Sequence, residues 1–189
     1  MTIDRKRAED LLLEFRLVSV DQVSLAYAIE TQEYPESEAA SLKTLVFRQD
    51  VAPELFLGCY LRTEDGASLL VGYIVSTLVS GDRLTHATMS SHDTSGDAVC
   101  IHSVCVASAF QRRGVATRML KEYLQHLQRL NDKNNNSNAS SSSKYKKVLL
   151  IAHQHTIGLY EGVGFVMVGK SSVEHGPDPW FEMFYTLDH

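Results

Sequence analysis

The stretch Cys100-Ile101-His102-Ser103-Val104-Cys105-Val106, followed shortly by Gln111-Arg112-Arg113-Gly114-Val115-Ala116-Thr117, decides how the rest of the chain is read. Its first half is a run of small and branched apolar residues bounded by polar ones, the composition of a buried strand. Val115, Met119, Leu120, Tyr123, Leu124 and Leu127 then recur at helical spacing, so a long amphipathic helix follows. Between the two lies a short loop. Gly114 lets the backbone approach a ligand closely, and the free N–H groups of a first helical turn carry a partial charge of about +0.5. Strand, loop and helix start together make a cradle suited to a phosphate or pyrophosphate.

Working outward toward the N-terminus, residues 14–20 read as a first strand, and Ser19 or Asp21 can cap a helix carrying Val23, Leu25, Ala26, Ala28 and Ile29. A loop at 31–36 exposes Tyr34 beside Pro35. A second helix is expected from near Ser37, through Leu42, Leu45, Val46 and Phe47, toward Gln49. Residues 55–61 and 68–78, separated by a turn at Glu64-Asp65-Gly66, form a hairpin signal. Residues 80–96 read as polar and irregular.

Past the long helix, residues 131–143 are an asparagine- and serine-rich tract with almost nothing to bury, expected as a flexible low-complexity insertion. Residues 147–152 are wholly apolar, the mark of a strand covered on both faces. A brief helix over 156–161 and strands at 165–169 and 180–187 complete the order. The expected fold class is therefore α/β (α+β): a central, mixed, mostly antiparallel seven-stranded sheet flanked by about four helices.

With 189 residues, 44% hydrophobic and 22% charged, the chain suits a single domain spanning 1–189. A net charge of −5 argues against a general nucleic-acid surface, leaving Arg112 and Arg113 as a local basic spot. No apolar run reaches the roughly 18 residues of a membrane span, and the charged N-terminal residues lack the apolar region of a secretory signal. Cys59, Cys100 and Cys105 have neither metal-ligand spacing nor an even disulfide count. Reduced thiols in a cytoplasmic protein, a monomer or weak dimer with a small-molecule partner, is the expectation.

These residues resemble the GCN5-related N-acetyltransferase (GNAT) superfamily, and within it most the arylalkylamine (serotonin-type) N-acetyltransferases, including fungal relatives. Three features carry the resemblance: the Gln-x-x-Gly-x-Ala loop at Gln111 to Ala116, the strand before it, and Leu159-Tyr160-Glu161-Gly162-Val163-Gly164-Phe165. It covers roughly residues 15–187. The resemblance implies acetyl-CoA as co-substrate. The backbone of Val104, Cys105 and Val106 would pair with the pantetheine arm, and the N–H groups of Arg112, Arg113, Gly114, Val115, Ala116 and Thr117 would hold the pyrophosphate. It also implies direct acetyl transfer to a small primary amine in a ternary complex.

A protonated amine must lose its proton before it attacks a thioester, and histidine, with an ordinary pKa near ~6.5, is suited to receive it. The resemblance makes His102 one of two relaying histidines and puts Cys100 where the other would stand. From the residues alone, a strand histidine serves equally as a satisfied core group. Tyr160 matches the tyrosine that protonates the departing thiolate and lies against the cofactor; packing on the sheet is its plainer role. His153 and His155 form a His-x-His without a third ligand, so no metal is expected.

Tyr34, Pro35, His155, Trp180 and Phe181 are the candidates for the amine pocket, with aromatic walls suited to an arylalkylamine. Acidic Glu33, Glu36 and Glu38 would equally attract a polyamine. Two other functions stay open: acetylation of a protein or peptide, and a non-catalytic acyl-CoA-binding module.

Overall fold

The structure is a computed structural model that describes residues 9, 11–137, 144–174 and 176–187. Seven strands form one sheet in the order β1-β2-β3-β4-β5-β7-β6. They are β1 (Leu13–Leu17), β2 (Phe56–Arg62), β3 (Ser68–Val79), β4 (Ala98–Val106), β5 (Lys147–His153), β6 (Val166–Lys170) and β7 (Trp180–Thr186). The β4–β5 pair is parallel, in register from Ala98↔Lys147 to Cys100↔Leu149. The β1–β2, β2–β3, β5–β7 and β6–β7 pairs are antiparallel. The expected mixed, mostly antiparallel sheet is present.

The helices are α1 (Val23–Glu33), α2 (Leu42–Val51), α3 (His86–Met89), α4 (Val115–Ser137) and α5 (Ile157–Glu161). Three boundaries depart from the sequence reading. β1 stops at Leu17, and a 3-10 turn over Val20–Gln22 replaces the end of the expected strand. α2 starts at Leu42 and not near Ser37, because Ser41 is its N-cap: the hydroxyl accepts the Thr44 N–H at 3.1 Å. Within the segment expected to be irregular, Thr85 and Thr88 close a capping box around the four-residue α3.

The asparagine- and serine-rich tract begins inside α4, which continues to Ser137. Asn131 is fully buried, donating from Nδ2 to the Tyr145 carbonyl at 2.7 Å and accepting the Tyr145 N–H at 2.9 Å. Residues 138–143 of the expected insertion lie outside the described residues.

The chain divides into two compact units, one within Met1–Val75 and Ser103–Met119, the other within Ser76–His102 and Leu120–His189. In the first, Val23, Ala26 and Ile29 on the inner face of α1 pack with Leu45, Phe56, Tyr60, Leu70, Tyr73 and Cys105. Each Val, Ile, Leu or Phe side chain among them contributes about 1.5–3 kcal/mol when withdrawn from water. The core of the second unit joins Val79, Leu84, Ala98, Cys100, Leu149, Ile151, Val173 and Trp180. β5 is buried from Val148 to Ala152, as its unbroken apolar run requires.

Candidate active site

In the first unit, β4 ends at Val106 and a 3-10 turn over Ser108–Phe110 leads to Gln111. Two residues then adopt left-handed backbone: Arg112 at φ 58° and Gly114 at φ 87°. Glycine accepts this freely, whereas a residue with a Cβ gives up about 1–2 kcal/mol. Left-handed residues within such a loop turn successive N–H groups toward a common point and make an anion-binding concavity. α4 begins immediately afterwards, with its first helical bond from Arg118 N–H to the Gly114 carbonyl at 3.0 Å. The N–H groups of Val115, Ala116 and Thr117 precede that bond and are the ones a helix start leaves for an anion. The loop and helix start thus have the chemistry a pyrophosphate requires, with the Arg112 and Arg113 side chains supplying positive charge.

Cys105 turns its thiol into the core, where burial pushes its pKa well up, with Glu30 and Glu33 adding to the effect. The carbonyls of the neighbouring residues already have donors. Tyr34 Oη donates to the Val104 carbonyl at 3.2 Å, and Gln111 Nε2 donates to that of Val106 at 2.9 Å. Tyr34 therefore lies against the strand expected to take the pantetheine arm. Pro35 opens the turn that follows, its carbonyl accepting from the N–H groups of Glu38 and Ala39.

Beside Tyr34, α1 carries a buried carboxylate. Glu30, 1% exposed, accepts from the Tyr73 hydroxyl, from Ser103 Oγ at 3.1 Å and from the Ala40 N–H at 2.9 Å. Burial, and then the Glu30 charge, hold the Tyr73 phenol well above its usual pKa. The sequence reading passed over Glu30, although it falls on the same helical face as Val23, Ala26 and Ile29.

In the second unit, His102 Nε2 lies 2.8 Å from Thr77 Oγ1, and Thr77 donates to the Ser91 carbonyl at 3.1 Å. The threonine hydroxyl thus bridges the imidazole and the Ser91 carbonyl and fixes the orientation of the ring. Cys100 Sγ is 3.8 Å from Nδ1 and 3.9 Å from Met89 Sδ. Cys100 and His102 share a face of β4, as strand alternation requires. Thr77 is a further residue the sequence reading missed; its signal was the pair of hydroxyls Ser76-Thr77 set between Val75 and Leu78 in an apolar strand.

Tyr160, on α5, is buried and stands edge-on to Phe165 with ring centroids 5.8 Å apart. Burial raises its phenol pKa well above the usual value, so it stays protonated at neutral pH. At the end of β5, His153 faces Trp180 at 3.8 Å between ring centroids and stacks on His155 at 5.5 Å. Trp180 packs into the core with Cys100, whereas its neighbour Phe181 alternates to the opposite face of β7. The two do not share one wall. Among the described residues, no group of three or more His, Cys, Asp or Glu is placed to hold a metal ion. No helix among them is long and apolar enough to cross a membrane.

Residues 23–165 match the Acetyltransferase (GNAT) family, and the chain belongs to it. Serotonin N-acetyltransferase of Mesocricetus auratus is 27% identical over 137 residues, which are 72% of this chain and 58% of that protein. The Homo sapiens serotonin N-acetyltransferase is 24% identical over 177 residues, 92% of this chain and 77% of that protein. Among solved structures, the GphF GNAT-like decarboxylase in complex with isobutyryl-CoA superposes with a TM-score of 0.72 at 16% identity, covering 93% of this chain and 100% of that one. This last likeness concerns the fold.

Proposed function

We propose that this acetyltransferase moves the acetyl group of acetyl-CoA directly to a small primary amine of the arylalkylamine class, such as serotonin, tryptamine or phenylethylamine. The observation that carries the reading is His102: a half-buried imidazole on the strand that leads into the Gln111–Thr117 loop, its Nε2 at hydrogen-bond distance from Thr77 and its Nδ1 beside the Cys100 thiol. The 24–27% identity to serotonin N-acetyltransferases adds support for the amine class.

In this reading acetyl-CoA supplies the activated acyl thioester. The Arg112–Thr117 segment binds the pyrophosphate, and the backbone of Val104, Cys105 and Val106 orients the pantetheine arm. Tyr34 and Gln111 then share or yield the carbonyls they now occupy. His102 takes the proton from the ammonium group, directly or through water, and the neutral amine attacks the thioester carbonyl. The tetrahedral centre gives up its second nitrogen proton to solvent and collapses, the C–S bond breaks, and Tyr160 protonates the departing thiolate. Tyr34, Pro35, His155 and Trp180 are assigned to amine recognition, and Phe181, on the opposite face of β7 from Trp180, drops out of that set. Cys100 lines the path and forms no acyl-enzyme. The chain works as one N-acetyltransferase domain over residues 1–189, in the cytoplasm, as a monomer or weak dimer.

The test is acetyl-CoA turnover with serotonin, tryptamine, phenylethylamine, spermine and peptides, repeated across pH. Arylalkylamines are expected as the best acceptors. Activity on peptides alone would overturn the small-amine reading, and binding of CoA without turnover of any amine would make the chain a non-catalytic acyl-CoA module.

A further inference from the structure

Glu33, the last residue of α1, reaches across to the turn between β4 and α4. Its Oε1 accepts the Ser108 N–H at 2.6 Å, and its Oε2 accepts from Gln111 Nε2 at 2.7 Å. The same amide nitrogen donates to the Val106 carbonyl at 2.9 Å. Both hydrogens of Gln111 Nε2 are thereby used. Reversing the amide would put its oxygen against two acceptors, so the orientation of Gln111 is fixed by its surroundings. The carboxylate grips one end of the turn at Ser108 and the other at Gln111. The next residue is Arg112, which holds left-handed backbone at φ 58°. A residue in that conformation persists only where its neighbours over-determine it.

A negative charge beside a loop built for phosphates works against anion binding, so the carboxylate has a different use there. It is partly exposed, and its repulsion is screened over about 8–10 Å at physiological salt. The bonds to Ser108 and Gln111 are charge-assisted, roughly twice as strong as neutral ones, and leave little freedom to the turn. Position outweighs repulsion.

We infer that Glu33 is a positioning residue for coenzyme A: by clamping Ser108 and Gln111 it sets the Arg112–Thr117 backbone in the form that receives the pyrophosphate. This rests on the acetyl-CoA reading above. The partner chemistry is the diphosphate portion of the ligand and not its acyl-pantetheine arm, so the effect of losing the clamp depends on which part of the ligand is present.

The test compares wild type with Glu33→Ala, Glu33→Gln, Gln111→Ala and the Glu33→Ala/Gln111→Ala double variant. Calorimetric titration with CoA is paired with steady-state kinetics on acetyl-CoA and on S-acetylpantetheine, which lacks the diphosphate. For Glu33→Ala, CoA affinity is expected to fall and KM for acetyl-CoA to rise about tenfold, with kcat within about twofold and kcat/KM for S-acetylpantetheine unchanged. Glu33→Gln keeps one acceptor oxygen and falls between. The double variant loses little beyond either single one, because both remove the same clamp. Unchanged CoA affinity in Glu33→Ala, or an equal loss with both acyl donors, overturns the inference. If Glu33→Ala does not fold, Glu33→Gln with the same two donors decides it. A wild-type protein that binds no CoA would instead sink the acetyl-CoA reading itself.

Discussion

His102 Nε2 and Thr77 Oγ1 are 2.8 Å apart, and the threonine hydroxyl is already given to the Ser91 carbonyl. The threonine therefore anchors the imidazole and holds its orientation. Replacing His102 by alanine removes the proposed base, and kcat/KM is expected to fall by roughly 10²–10⁴-fold with loss or displacement of the ascending limb of the pH–rate profile. Thr77→Val keeps the shape but removes the hydrogen-bond partner of Nε2; about a tenfold loss in kcat with a shifted limb is expected, and Thr77→Ser restores both. A profile unchanged in His102→Ala removes this residue from the role of base.

The second acid–base group behaves differently. Because burial raises the Tyr160 pKa, its phenol stays protonated throughout the neutral and mildly alkaline range, and no descending limb below about pH 10 should come from it. Tyr160→Phe should lower kcat by about 10²-fold or more while KM for acetyl-CoA stays within about threefold. Equal kcat in the two proteins would reduce Tyr160 to a packing residue.

The sheet was legible because its strands carry unambiguous patterns: residues 147–152 are apolar throughout, and 55–61 and 68–78 flank a glycine turn. The start of α2 was not, since Ser37-Glu38 is an acceptable helix opening on local grounds and only the observed Ser41–Thr44 bond places it. For the candidate site, the loop and His102 stood out in one continuous stretch. Thr77 and Glu30 did not, and Glu33 stood out only as a charge for a polyamine, because His102, Ser103 and Ser108, which tie them to the site, lie 25, 73 and 75 residues away and no local pattern announces such a pairing. The alternation that puts Trp180 and Phe181 on opposite faces was available in the sequence; adjacency on paper obscured it.

Gly72 tests whether the cofactor strand tolerates displacement. A Cβ at this position would meet the Cys105 carbonyl oxygen at 2.7 Å and Met119 Sδ at 2.9 Å. The methionine end can swing aside, but the carbonyl belongs to the backbone proposed to align the pantetheine arm. Gly72→Ala is expected to destabilise the protein by about 1–3 kcal/mol and to raise KM for acetyl-CoA, read by denaturant unfolding and kinetics together. Met119→Ala combined with Gly72→Ala relieves only the sulfur contact, so it should not recover KM.

Asn131 presents a purely structural counterpart. Its side chain satisfies both the N–H and the carbonyl of Tyr145, and the asparagine is fully buried. Removing one side chain leaves two buried backbone groups without these partners. Asn131→Ala is therefore expected to cost about 2–5 kcal/mol in unfolding free energy, and Asn131→Asp, which cannot donate to the carbonyl, most of that. A loss under about 0.5 kcal/mol would mean that water reaches Tyr145 in the variant.

The buried thiols, with the buried phenols of Tyr60, Tyr73 and Tyr160, lower stability at alkaline pH. Burial pushes the Cys59 pKa from 9.0 up to about 12, a shift only partly offset by the nearby Arg118 charge. Below about pH 9 the thiol is protonated in folded and unfolded chains alike, so this group leaves stability independent of pH there. Between about pH 9 and 12 the unfolded chain ionises its thiol while the folded one does not, and the equilibrium moves toward unfolding by about 1.4 kcal/mol per pH unit. Cys105, whose pKa burial also raises, adds to the same trend. Denaturant midpoints measured from pH 8 to 11 should be level and then fall, and Cys59→Ala should flatten the descent while lowering the plateau. The same argument makes Cys59 and Cys105 slow to react with alkylating reagents at pH 8 in the folded protein, and fast once it is unfolded.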